Sequence, residues 1–403
     1  MLTEQPKRTD KSLQERGRLC AIIHYSEIGL KGKNRGLFEN QLRQNILRAL
    51  RGEKIESLQR DFGRMILFLN AESDWPEISA KMSRIFGIAN FSAGLWTEQR
   101  MEDITAAALL QMRNFSFGSF RVTVRRAQKE FPQSSQEISV QLGATLQKAS
   151  GATVDLENPQ ANCFVEIFNK NALVYWNKIP GPGGLPVGVS EKAVSLLSSG
   201  IDSPVASWRM MKRGVKLSFV HFHSMPATSP ASARNAEKLV EQLTRFQYVS
   251  RLYLVPFLEI QQQIMLNSPA EYRVLLYRRS MFRLAEKIAQ AEKASALITG
   301  ENVGQVASQT LSNIRAIGEV VGLPVLRPLA GDDKRDIIAA ARKIGTYRIS
   351  TEPYEDCCSL YVPRHPETKA EPNHLHKVEA NIALDSLYED ALEKTDIRKY
   401  KYP

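Results

Sequence analysis

No helix or central strand can run through residues 179–187, because their sequence, IPGPGGLPV, carries three prolines and three glycines. Proline has no N–H to give to a ladder or a helical turn, and glycine gains no packing while losing the most backbone freedom. A chain of 403 residues has room for two or three domains. The Pro/Gly run divides it, giving a linker at 179–188 with different patterning on either side.

Upstream, helices and strands are mixed at short range. Residues 1–17 read as a disordered leader of mixed charge. Residues 19–25 (LCAIIHY) read as a buried strand, and Phe38, Leu42, Ile46, Leu47 and Leu50 recur near helical spacing, with Gly52 placed as a C-cap. A strand at 64–69 and a helix at 75–86 follow. This mixture predicts a small ferredoxin-like α+β domain over 18–73 and a second α+β domain over 74–178. In the latter, an alternating strand at 120–124 leads into Arg125 and Arg126. Ser134 with Glu137 three residues on forms a capping-box pattern for a helix at 134–150. Residues 164–168 and 172–176 are spaced as a hairpin.

Downstream, over 189–403, strands and helices alternate. Strand candidates at 193–197, 217–222, 252–255, 296–299 and 325–326 are separated by helical segments, the first at 204–213. This pattern predicts an α/β domain with a doubly wound parallel sheet, whose ligand sits beyond the carboxyl ends of the strands. Its first strand runs directly into Ser198-Ser199-Gly200-Ile201-Asp202-Ser203, then Pro204. Small residues let a phosphate approach the backbone. Successive N–H groups, hydroxyls and the helix N-terminus together make an anion cradle. It is not a Walker loop, since no GxxxxGK[ST] occurs, and GxGxxG is also missing.

A formal charge of +11 points to a polyanionic partner such as a nucleic acid. No apolar run approaches the roughly 20 residues of a membrane span, and the polar N-terminus gives no signal peptide, so a cytoplasmic protein is expected. The four cysteines, Cys20, Cys163, Cys357 and Cys358, form neither a disulfide framework nor a CxxC zinc pair. The adjacent Cys357 and Cys358 read either as a reactive pair or as a buried structural one.

The run SSGIDSPVA resembles the SGGxDS PP-loop of ATP-pyrophosphatases. With MKRGVKLSFVHFHS, TGENVGQVASQT, LPVLRPLAGDDK and IGTYRISTEPYEDCC, the chain resembles the tRNA 4-thiouridine synthetase family, ThiI. HYSEIGLKGKNRGLFE and FRVTVRRAQKEFP are similar to that family's N-terminal ferredoxin-like and THUMP domains, and IPGPGGLPVG to its linker. The resemblance extends from about residue 18 through nearly the whole chain. It implies a THUMP domain for tRNA at 74–178 and a PP-loop ATP-pyrophosphatase domain at 189–403. The implied reaction has two stages. ATP adenylates uridine 8 of tRNA with loss of pyrophosphate; a persulfide on an enzyme cysteine then supplies sulfur and AMP leaves. Sulfur supply for thiamine thiazole synthesis and a homodimer are implied as well. A C-terminal rhodanese domain carried by some members has no counterpart, so sulfur is expected directly from a cysteine desulfurase or another small persulfide donor.

By resemblance, Leu196, Leu197, Ser198, Ser199, Gly200, Asp202, Ser203, His221, Phe222, Arg278, Gly300 and Gln309 lie at the nucleotide. The pattern's first glycine is Ser199 here, which is unstrained only if that position is not left-handed. Asp202 could hold Mg²⁺ against the phosphates or cap the helix; Phe222 could face adenine or fill the core. Arg278 could offset charge on the departing pyrophosphate or lie on a solvated helix face. Gly300 would clear a path for the ligand. Cys357 aligns as the sulfur carrier, with Cys358 one place away. Lys31, Lys33 and Arg35, and then Arg125, Arg126 and Lys129, form two basic clusters that suit tRNA phosphates.

Overall fold

The computed structural model describes residues 17–61, 63–126, 131–355, 361 and 365–403. Residues 1–16 of the expected leader, Lys129, Cys357 and Cys358 lie outside the described residues. The chain divides into two compact units between Gly184 and Leu185.

The first unit runs β1 (Arg18–His24), α1 (Arg35–Ala49), β2 (Ile55–Asp61), β3 (Arg64–Leu69), α2 (Trp75–Met82), β4 (Asn90–Glu98), α3 (Met101–Met112), β5 (Ser119–Arg126), α4 (Ser135–Ser150), β6 (Thr153–Val154), β7 (Ala161–Ile167), β8 (Asn171–Trp176) and β9 (Ile179–Pro180). Among the described residues these strands form one sheet, ordered β2-β3-β1-β4-β8-β7-β5-β6, with β9 also on β4. Strand β4 pairs antiparallel with β1 on one side and β8 on the other, so the ferredoxin-like half and the rest share a single sheet. Alternation sorts the side chains by face. Ile138, Leu142 and Leu146 of α4 and Ile104 and Ala108 of α3 pack on Phe120, Val165, Val174 and Trp176. The alternate residues Cys20, Ile22, Ile66, Phe68, Phe164 and Tyr175 cluster on the other face. There the charged ends of Arg18, Lys178 and Arg64 lie over the rings of Phe68, Phe164 and Phe168, at 4.1, 4.4 and 4.9 Å.

The capping box at α4 is complete: the Glu137 N–H donates to the Ser134 hydroxyl (3.2 Å) and the Ser134 N–H to the Glu137 carboxylate (2.7 Å). At the C-terminus of α1 the cap is Leu50, and Gly52 follows it with φ +88°. Helix α2 stops at Met82, short of the expected 86. Residues 179–184 fold back on this unit, where the Gly181 N–H donates to the Ala89 carbonyl at 2.9 Å.

The second unit runs β10 (Lys192–Leu196), α5 (Asp202–Met211), β11 (Lys216–His223), α6 (Ala231–Gln247), β12 (Val249–Pro256), α7 (Leu258–Asn267), α8 (Arg273–Glu292), β13 (Leu297–Ile298), α9 (Leu311–Gly318), β14 (Val325–Leu326), α10 (Lys334–Lys343), α11 (Tyr347–Ser350), α12 (Pro372–Ala380), α13 (Asp385–Glu393) and β15 (Asp396–Lys401). Its strands are ordered β14-β13-β10-β11-β12-β15. The first five are parallel, as the strand–helix alternation predicts; β15 departs from it by adding to β12 in the antiparallel sense. Leu275, Leu276, Phe282 and Ile288 of α8 pack with Val194, Val220, Val255 and Leu297 of the strands in the main core. That burial fixes the strand ends, and hence everything mounted beyond them.

Candidate active site

The carboxyl ends of β10, β11 and β13 open into a cavity of about 540 Å³. Ten of the twelve positions expected at the nucleotide line it: Leu196, Leu197, Ser198, Asp202, Ser203, His221, Phe222, Arg278, Gly300 and Gln309. The other two, Ser199 and Gly200, sit in the same loop but do not face the cavity. Phe222 does both things open to it, lining the cavity while packing at 63° against Phe257, 5.4 Å between ring centres.

The loop is closed by its own hydroxyls. The Ser198 N–H donates to the Ser203 hydroxyl (2.9 Å), which donates to the Ser198 carbonyl (3.1 Å). The Gly200 N–H donates to the Ser198 hydroxyl at 3.3 Å. Two of the amides expected to cradle phosphate therefore already have a partner within the loop. Neither Ser199 nor Gly200 has a positive φ. Serine in place of the pattern's glycine is thus unstrained. Its side chain turns inward, where the hydroxyl donates to the Ser232 carbonyl at 2.8 Å.

Asp202 does not cap its helix, since the N-cap position is Ile201 and no side-chain capping bond forms there. Its carboxylate instead accepts from Lys334 Nζ (2.6 Å) and Gln305 Nε2 (2.9 Å). Arg278 is held on the cavity wall rather than on a solvated face: it pairs with Glu301 and donates to the Ser308 carbonyl at 3.0 Å. Glu301 is buried and also bound by Arg327 (2.5 Å) and the Thr299 hydroxyl (2.9 Å). Burial opposes its charge, but the Arg278 and Arg327 guanidinium groups outweigh that and hold the carboxyl below the usual range. Gln309 accepts the Asn302 N–H through Oε1 at 3.2 Å.

Gly300 lines the cavity and is constrained by the backbone beside it as well. A Cβ there would lie 2.6 Å from the Ser203 nitrogen and 2.8 Å from its Cα, so it would strike the helix start. Residues just before Cys357 lean on the loop from another side. The Ser350 hydroxyl donates to the Gly200 carbonyl at 3.1 Å, and a Cβ at Gly200 would meet the Tyr354 hydroxyl at 3.5 Å. Glu355 accepts the Ser229 N–H at 3.0 Å, and Pro366 lines the cavity.

Sequence reasoning did not single out Lys334, Gln305, Glu301 or Arg327. All four stand inside the motifs TGENVGQVASQT and LPVLRPLAGDDK, yet Asp202, the partner of Lys334 and Gln305, is more than a hundred residues away.

In the first unit the two basic clusters divide by role. Lys33 is exposed in a short 3₁₀ turn and Arg125 is exposed on β5. Lys31 is half-buried, its ammonium 5.2 Å from the centre of the Phe38 ring. Arg35 is occupied by Glu39 (2.7 Å) and the Tyr25 hydroxyl (3.2 Å), and Arg126 by the Gln133 and Phe131 carbonyls (2.8 and 3.2 Å). These two brace their own unit.

Three family profiles match consecutive stretches: the ThiI ferredoxin-like domain at 20–92, the THUMP domain at 98–177, and the thiamine biosynthesis protein ThiI at 188–384. A probable tRNA sulfurtransferase of Thermus thermophilus is 43% identical over 385 residues, 96% of this chain and 95% of its own. One of Moorella thermoacetica is 43% identical over 377 residues, 93% of this chain and 96% of its own. Among solved structures, a 4-thiouridine synthetase in complex with RNA and bound ATP superimposes with a TM-score of 0.88 at 38% identity, covering 95% of this chain and all of that one. With its ferredoxin-like, THUMP and PP-loop parts in that order and a nucleotide-sized cavity at the strand ends, this chain belongs to the ThiI family.

Proposed function

We infer that the chain is a tRNA sulfurtransferase that uses ATP to convert uridine 8 of tRNA into 4-thiouridine. The observation that carries this reading is the convergence of ten expected positions on one cavity at the carboxyl ends of β10, β11 and β13, with the serine loop at its edge. The N-terminus of α5 and the basic groups Arg278 and Lys334 suit a triphosphate there.

The uridine O4 attacks the α-phosphorus of ATP, and the bond to the β-phosphate breaks as pyrophosphate leaves. Arg278, paired with Glu301 on the cavity wall, would offset charge on the departing group. Activation matters because a carbonyl oxygen leaves poorly and AMP leaves well. The outer sulfur of a cysteine persulfide then attacks C4, the C4–O4 bond breaks, and AMP departs with that oxygen. The neighbouring thiol attacks the inner sulfur, leaving sulfur on C4 and forming a disulfide that an external thiol reduces. Cys357 is assigned the persulfide and Cys358 the resolving role. Cys357 follows Glu355, which accepts the Ser229 N–H, by two positions in the sequence.

Mg²⁺ would enter on the triphosphate, neutralising part of its charge. Asp202 is the carboxylate of the loop that could add an oxygen, if Lys334 moves from it to a phosphate. The sulfur comes from a cysteine desulfurase or another persulfide donor, and the enzyme works as a homodimer in the cytoplasm. Sulfur supply to thiamine thiazole synthesis is a second use of the same persulfide. No helix among the described residues is long and apolar enough to cross a membrane.

The test is mass spectrometry of tRNA after incubation with ATP, magnesium, cysteine and a cysteine desulfurase. The wild-type chain is expected to produce 4-thiouridine. The double variant Cys357→Ser/Cys358→Ser is expected to release pyrophosphate and yield none; thiolation that survives the double change would rule out the persulfide assignment.

A further inference from the structure

We propose that Ser199, Ser232 and His221 form a positioning relay that shapes the phosphate loop from beneath and sets the site's affinity for the triphosphate rather than for adenosine. The proposal rests on the reading of residues 198–203 as the nucleotide loop.

All three side chains are buried, at 1%, 3% and 2% exposure. Their polar atoms are linked in series. His221 Nδ1 is 2.9 Å from the Leu197 carbonyl, and Nε2 is 3.1 Å from the Ser232 hydroxyl. Ser199 Oγ is 2.8 Å from the Ser232 carbonyl and 3.1 Å from its hydroxyl. A carbonyl only accepts, so Nδ1 carries the ring proton. On a neutral ring Nε2 must then accept, and the Ser232 hydroxyl donates to it. The Ser199 hydroxyl gives its own proton to the Ser232 carbonyl. With both hydroxyl protons so placed, the 3.1 Å contact between the Ser199 and Ser232 hydroxyl oxygens carries no proton, and Ser199 joins the relay through the Ser232 carbonyl.

The relay joins four pieces of the fold: the end of β10 through Leu197, the loop through Ser199, the strand β11 through His221, and the first turn of α6 through Ser232. The Leu197 N–H also donates to the Val220 carbonyl at 2.8 Å, so the root of the loop is tied twice to β11. Both nitrogens of His221 are engaged within the relay, although the residue lines the cavity. The three residues therefore act on a ligand through the loop backbone. Ser199 is central because it lies between Ser198 and Gly200 and points away from the ligand side. A glycine there, as in the SGGxDS pattern, would lack the anchor.

Breaking one link strands a buried polar partner, which loosens the loop but leaves the apolar wall of Leu196, Val220 and Phe222 intact. The experiment measures binding of α,β-methylene-ATP and of adenosine by calorimetry for the wild type, Ser199→Ala, Ser232→Ala, the double variant, and Ser199→Gly. Each single change is expected to weaken the ATP analogue about five- to tenfold and to leave adenosine within about twofold. The double variant should lose little more than the worse single one, as members of one relay do. In turnover, KM for ATP should rise while kcat at saturating ATP holds. Parallel losses of analogue and adenosine, additive losses, or no loss would overturn the relay. Ser199→Gly removes the same hydroxyl as Ser199→Ala and should weaken the analogue to a similar extent, and an unfolding curve for each variant separates a folding artefact from a lost anchor. A wild-type chain that binds neither compound would instead overturn the nucleotide reading, and the relay with it.

Discussion

At Gly300 a single added methyl group would press on the amide nitrogen and Cα of Ser203. Backbone cannot rotate away as a side chain can, so Gly300→Ala should push the loop out of place and cost about 1–3 kcal/mol. A chemical denaturation curve checks the stability. A second check is tRNA-dependent pyrophosphate release, expected to be nearly abolished. Glu301 is the other sensitive residue. Replacing it with Gln would leave Arg278 and Arg327 crowded and only partly compensated, at about 3 kcal/mol or more. KM for ATP in the Glu301→Gln variant should rise, since Arg278 would lose the partner that aims it. These outcomes mark the boundary of what the sequence could reveal. A serine-rich bend between strand and helix is local, and so could be read from Ser198 to Ser203. The pairs Lys334–Asp202 and Arg278–Glu301 are tertiary, separated by 132 and 23 residues, and no periodicity announces them.

Among the elements, β11 carries a titrating group at its end. His223 is pushed down to about 4, first by burial and then by His221, with Asp396 pulling the other way. Its unfolded value is near 6.5, so between these values the unfolded chain binds a proton that the native chain refuses. Stability is therefore full above about 6.5 and falls as the pH drops toward 4. Thermal unfolding followed from pH 7.5 to 4.5 should show this decline, and His223→Gln should lessen it, the remainder including His24, which burial also pushes down to about 4. The same scale shows why some elements were legible and others were not. Helix α4 announced itself with Ser134 and Glu137, and the β7–β8 hairpin with two apolar runs a few residues apart. Strand β4 escaped notice because Gly94 interrupts its apolar pattern. Strand β15 did so because DIRKYK is almost wholly polar, as an exposed strand can be when its pairing comes from the backbone.

For the molecule as a whole, the proposed tRNA surface uses basic groups of the first unit. Lys33 and Arg125 are exposed, and Arg18, Arg64 and Lys178 lie across aromatic rings on one sheet face. Phosphate contacts release counterions, so tRNA affinity should fall linearly on a log–log plot against salt. Removing one such contact with Arg125→Ala should reduce the slope by about one. Filter binding between low and moderate salt would measure it, and an unchanged slope would take Arg125 out of the interface. Arg126 is occupied by two backbone carbonyls, so its loss should appear in folding stability before it appears in the salt slope.

The antiparallel strand β15 is short and charged, and it lies along β12 from Val249 to Leu254. A sheet margin left bare is a template for any stray extended peptide. Stop codons or cleavage sites introduced before Asp396 would uncover that margin, and the shortened polypeptide should self-associate on warming even if its catalytic residues remain intact.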